Sequence, residues 1–147
     1  MLRMGAALAL VVSVTGCSEP FVAPTTREEC ARAVPDADRG STDVSPSWSI
    51  AYSDEPHPLG TSGVLHLCVP ADVHATVTTD PLPGVEVRPE PLIVRPGGGV
   101  PELVVTVSDG DDEEDFHVHY DSPGEDGTQW VEIHVEGDEW SFQSWRR

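Results

Sequence analysis

From Pro46 onward, apolar and polar residues alternate in short runs. These runs lie at Trp48–Ser53, Gly63–Val69, Val73–Thr79, Val85–Arg88, Leu92–Arg95, Glu102–Ser108, Phe116–Tyr120, Trp130–Glu136 and Glu139–Trp145. Turn-forming clusters separate them: Pro56-His57-Pro58, Pro81-Leu82-Pro83-Gly84 and Pro96-Gly97-Gly98-Gly99. A period of two places successive side chains on opposite faces of a strand. Many short strands punctuated at this spacing predict an all-β sandwich or barrel. Gly137-Asp138 suits a two-residue hairpin turn with Gly first. That turn pairs Val135 with Trp140, Ile133 with Phe142 and Val131 with Ser144 on one face. His134 then meets Ser141 and Glu132 meets Gln143 on the other. Slipping by one residue would mix the two faces, so the agreement supports the register.

The pattern upstream differs. Residues 18–45 hold Pro20, Pro24 and Pro35 among small and polar side chains, the composition of a flexible tether. Thr26 is placed to cap a short helix over Arg27–Val34, with Glu29 completing a capping box and Pro35 ending it. Residues 5–14 are almost wholly apolar behind Arg3. A membrane-spanning helix needs about 20 apolar residues, so this run reads as a secretory signal.

The signal ends Val14-Thr15-Gly16-Cys17, which resembles the lipobox of bacterial lipoproteins. The resemblance implies lipid on the Cys17 sulfur and cleavage after Gly16, giving a signal peptide (1–16), a lipidated tether (17–45) and a domain (46–147). Ser18 lacks the aspartate that would favour inner-membrane retention, so the same resemblance implies the outer membrane. Two or three acyl chains hold a protein firmly, where one binds marginally. With Cys17 taken by lipid, Cys30 and Cys68 remain in an exported, disulfide-permissive compartment. Their pairing would contribute about 4 kcal/mol in the chain-entropy model; the alternative is two free thiols.

The segment Val85-Glu86-Val87-Arg88-Pro89, Leu92-Ile93-Val94, Pro96-Gly97-Gly98 and then Leu103–Val107 resembles the opening strands of bacterial immunoglobulin-like domains. The resemblance implies an immunoglobulin-like antiparallel β-sandwich and carries no activity. In those domains the motif usually opens the fold, whereas here about 60 residues follow it.

Charge narrows the partners. The 147 residues carry 8 basic and 26 acidic side chains, a formal −18, and every basic residue is arginine. Such a balance argues against nucleic acid and against electrostatic adhesion to anionic lipid. Thirteen carboxylates and no arginine lie between Asp109 and Glu139. The densest run, Asp109–Asp115, is expected to be a loop. Asp109, Asp111, Glu113 and Asp115 alternate as calcium ligands do, but the sixth and twelfth positions hold Glu114 and Tyr120, which excludes an EF-hand. An irregular calcium loop and a solvated acidic loop both remain.

His117 and His119 share a strand face. If Val118 opposes Ile133 and Tyr120 opposes Val131, His117 lies across from His134 and His119 from Glu132. Three imidazoles and a carboxylate there would suit zinc or copper(II); the alternative is histidines on a wet sheet face. Trp130 and Trp145 fall opposite each other on the polar face of the Gly137-Asp138 hairpin, as a binding platform or as a stacked pair closing the sheet end. No G-x-S-x-G, phosphate loop or zinc-finger spacing occurs. The resulting expectation is a lipid-anchored, non-enzymatic binding or scaffold module with an envelope protein or polysaccharide as partner. The alternative is an envelope metal-binding protein.

Overall fold

The computed structural model describes residues 22–27, 29–30, 48–110 and 112–144. Among these residues the chain forms ten strands: β1 (Ser49–Ala51), β2 (His57–Pro58), β3 (Ser62–Cys68), β4 (Ala75–Thr79), β5 (Val85–Arg88), β6 (Leu92–Val94), β7 (Glu102–Val107), β8 (Glu113–Ser122), β9 (Glu125–Glu136) and β10 (Glu139–Ser144). They build two antiparallel sheets, one ordered β1-β3-β7-β5 and the other β2-β10-β9-β8-β4-β6. The architecture is an all-β sandwich, as the alternation predicts.

The strands before and after residue 80 are interleaved. In the four-stranded sheet β3 pairs with β7, and in the six-stranded sheet β4 pairs with β8. The segment Val85–Val107 therefore sits mid-fold rather than opening it, with β5 and β7 in one sheet and β6 in the other. One apolar core lies between the sheets and runs from Trp48 to Phe142. Leu103, Val105 and Val107 of β7 face Phe116, Val118 and Tyr120 of β8 and Val131 and Ile133 of β9 across it. Fully burying one such side chain contributes about 1.5–3 kcal/mol.

The aromatic packing explains two choices in the sequence. Trp140 and Phe142 meet edge to face with centroids 4.9 Å apart, and the Trp140 indole N–H donates to the Thr61 carbonyl at 3.2 Å. Gly63 lies beneath them. A Cβ there would come within 2.9 Å of both rings, so β3 reaches this close only without a side chain. Trp48 and Tyr120 stack at 4.9 Å and 17°, and burial pushes the Tyr120 phenol above its ordinary range.

The β9–β10 hairpin has the expected register, turning at Gly137-Asp138 with Gly137 at φ 65°. Pro56-His57-Pro58 departs from expectation. His57 and Pro58 form β2, a short edge strand against Glu139 and Trp140, a position where proline needs no ladder donor.

The upstream segment docks on the sandwich. Cys30 and Cys68 form a disulfide with Cα atoms 5.2 Å apart, as the cysteine count suggests. Leu65 and Leu67 of β3 point into the core, so Cys68 lies on the opposite face, where Cys30, Ala51 and Val100 pack around it. Arg27 adds a polar clasp, donating to the carbonyls of Pro70, Arg95 and Gly99. Thr26 caps the turn through its hydroxyl, which accepts the Glu29 N–H at 3.0 Å. The Glu29 carboxylate reaches back to the N–H and hydroxyl of Thr25 rather than of Thr26. The rest of the expected helix, at 31–34, lies outside the described residues.

Candidate functional site: the outer face of the six-stranded sheet

Strands β4, β8, β9 and β10 turn one set of side chains into the core and the other outward. The outward set gathers most of the chemistry named above, in an arrangement that depends on the β8–β9 register. That register is set by a two-residue turn at Pro123-Gly124, where Gly124 has φ 84° and Ser122 faces Glu125. His117 therefore opposes Trp130, and His119 opposes Thr128. His134 opposes Glu113, and Glu132 opposes Asp115. The expected pairing of His117 with His134 and of His119 with Glu132 is displaced by four positions along β9, so these four side chains do not form one cluster. Among the described residues, no group of three or more His, Cys, Asp or Glu side chains is arranged to hold a metal ion.

The acidic run also changes character. Glu113 and Asp115 belong to β8, not to a loop, because β9 continues far enough to pair with them. Both are exposed on the outer face. Asp109 lies in the connection before β8, where its carboxylate accepts the Gly110 N–H at 2.8 Å. Asp111 lies outside the described residues, as do Cys17 and Trp145.

At one end of this face, Asp80 bridges the two histidines of β8. Its oxygens lie 3.1 Å from His117 Nδ1 and 2.9 Å from His119 Nε2. A carboxylate only accepts, so both rings donate to it, and His119 Nδ1 is hydrogen-bonded to the Thr128 hydroxyl at 3.0 Å. The bonds from His119 and then from His117 hold the Asp80 carboxyl below its ordinary range. Asp80 was not among the residues singled out from sequence. Its partnership requires β4 to lie beside β8, a non-local pairing that alternation does not report.

The centre carries an exposed indole. Trp130 is the large aromatic most open to solvent among the described residues, and the His117 ring packs against it with centroids 5.3 Å apart. Beside it stands a strained acidic pair, Asp115 directly opposite Glu132. Partial burial, a shared hydrogen bond with Glu113 and the charges of Glu113 and Asp115 push the Glu132 carboxyl above its usual range, only partly offset by His134. His134 sits between Glu113 at 4.0 Å and Glu136 at 3.6 Å.

The remaining histidines are apart from this face. His66 lies on β3 within 3.5 Å of Glu102, and burial lowers its pKa against the raising effect of that carboxylate. His57 packs on Trp140 at 4.7 Å. The arrangement as a whole is an acidic, hydrogen-bonding surface around one exposed aromatic ring. Compared with models of protein families, with curated proteins and with solved structures, the chain matches none of them.

Proposed function

We propose that this chain is an exported protein, held to the cell envelope by lipid on Cys17, that displays the sandwich as a non-enzymatic binding module. The observation that carries the reading is the Cys30–Cys68 disulfide, which belongs to an oxidising compartment and fastens the segment downstream of Cys17 onto the domain. The lipobox-like ending and the Ser18 that follows it support anchoring, with the outer membrane as the destination. The module reading rests on where the polar chemistry lies. The space between the sheets is filled by apolar side chains, and His117, His119, His134, Asp115 and Glu132 lie on the outer surface around Trp130.

Metabolic labelling with an alkyne fatty acid tests the anchor. We expect label on the wild-type chain, recovered with outer-membrane fractions, and none on Cys17→Ala. An unlabelled wild-type chain overturns it. Photo-crosslinking from His119 in intact cells tests the module, and a chain that yields no crosslinked species overturns that half.

A further inference from the structure

We propose that the outer face of the six-stranded sheet docks a lysine- or arginine-bearing segment of a partner protein. The inference rests on the binding-module reading and gives it a surface and a partner chemistry.

The argument starts from register. Three cross-strand pairs on this face place carboxylates directly opposite one another: Asp121 with Asp126, Asp115 with Glu132, and Glu136 with Glu139. Like charges in directly opposed positions destabilise a sheet, and a chain selected for stability alone would alternate the signs. The chain contains no lysine, and no arginine occurs between Asp109 and Glu139 to relieve them. Arg27 is committed to three backbone carbonyls. His134 lies 3.6 Å from Glu136, and a cationic segment laid over the face supplies further countercharge at all three places.

Trp130 adds a recognition element that charge alone does not. It lies between the first two of these pairs along β9, with its indole exposed. A guanidinium or ammonium over an indole face is held by cation–π attraction, more strongly when carboxylates stand beside it. From Asp126 to Glu136 the strand covers about 33 Å, the length of an extended segment of about ten residues. The upward displacement of the Glu132 carboxyl accords with this picture, since an arriving cation favours its ionised form.

The test uses the full-length chain in detergent micelles and fluorescence anisotropy. The probe is a labelled peptide of alternating arginine and serine, about ten residues long. The comparison probes are the same peptide with glutamine for arginine, and a neutral glucan oligosaccharide. We expect the arginine peptide alone to bind, more weakly as salt rises, and to shift amide resonances of β8 and β9. Trp130→Ala should weaken it about tenfold, the effect of removing a central aromatic anchor. The double variant Asp115→Asn/Glu132→Gln should match that loss. Glu55→Gln/Glu86→Gln, with the same charge change elsewhere, should stay within about twofold.

Equal losses in both double variants, or resonance shifts scattered over the surface, overturn the proposal in favour of diffuse attraction. Binding of the glutamine peptide or the glucan with the same Trp130 dependence also overturns it, while the module reading stands. Absence of binding by every probe overturns it as well, and the crosslinking experiment then decides the module reading separately.

Discussion

The same three strands, β8, β9 and β10, present two surfaces that obey different rules. Inward, Phe116, Val118, Tyr120, Val131, Ile133, Trp140 and Phe142 are almost completely removed from water, and each fits among its neighbours. Outward, Asp115 confronts Glu132, His117 leans on Trp130, and Asp80 holds two imidazoles. The inner surface combines strand-forming side chains with close apolar packing. The outer one tolerates opposed like charges, which packing alone would not choose. The difference teaches that folding is specified by one side of this sheet, leaving the other side free to be selected for something else.

Substitutions can break that contrast or sharpen it. Trp140→Ala strikes the inner surface, removing an aromatic core and orphaning the Thr61 carbonyl. We expect a loss of about 3–5 kcal/mol in urea unfolding, and a loss under 1 kcal/mol would contradict its central packing. Gly63→Ala tests the same surface from the opposite sheet by overfilling it. A Cβ pressed against two rings should cost about 1–3 kcal/mol, unless the aromatic pair shifts aside.

On the outer surface the signs become pH-dependent. Glu132 is raised, so the folded chain holds a proton longer than the unfolded one, and stability falls as pH rises through 4.5 to the folded value. Glu132→Gln should therefore stabilise the protein at pH 7 by about 0.2–1 kcal/mol, the scale of a cross-strand charge pair. The advantage should vanish below the ordinary carboxylate range. A destabilised variant at neutral pH would show that Asp115 and Glu132 do not repel. Asp80 runs the other way. Its depressed carboxyl contributes stability above 3.8 that is lost as pH falls through the lower folded value. Asp80→Asn should lower the melting temperature slightly at pH 6 and converge with wild type in acid. As an exposed group it should give the smallest effect of the four.

The two hairpins of the six-stranded sheet also show how far a sequence can be read. At β9–β10, Gly137-Asp138 is the only turn signal between two alternating runs, and the pairing follows. At β8–β9 the expected pairing centres the turn on Glu125-Asp126, whereas the chain turns at Pro123-Gly124, so the expected register is four positions off along β9. Alternation cannot detect that error. A shift by an even number leaves every side chain on its own face, so the apolar pattern is satisfied by either pairing. Only turn chemistry separates the two registers, and the histidine cluster depended on that choice. The acidic run misled for a related reason: Asp and Glu are weak strand formers, but the length of β9 draws Glu113–Asp115 into the ladder. Asp80 was invisible because its partners lie 37 and 39 residues downstream, on a strand that meets β4 only through the sheet order. The fold class, the disulfide and the faces of the strands were therefore legible, while the lateral arrangement on the outer face was not.

The Cys30–Cys68 bond has a mechanical consequence. It joins two points 38 residues apart in sequence, one upstream of the sandwich and one at the end of β3. A pull applied upstream of Cys30 passes through the sulfur atoms straight into β3, an interior strand flanked by β1 and β7. The chain between the two cysteines, including β1 at the sheet edge, lies off the load path. Tension from that side bypasses the edge strand and enters the sandwich at the end of a strand that is laddered on both flanks.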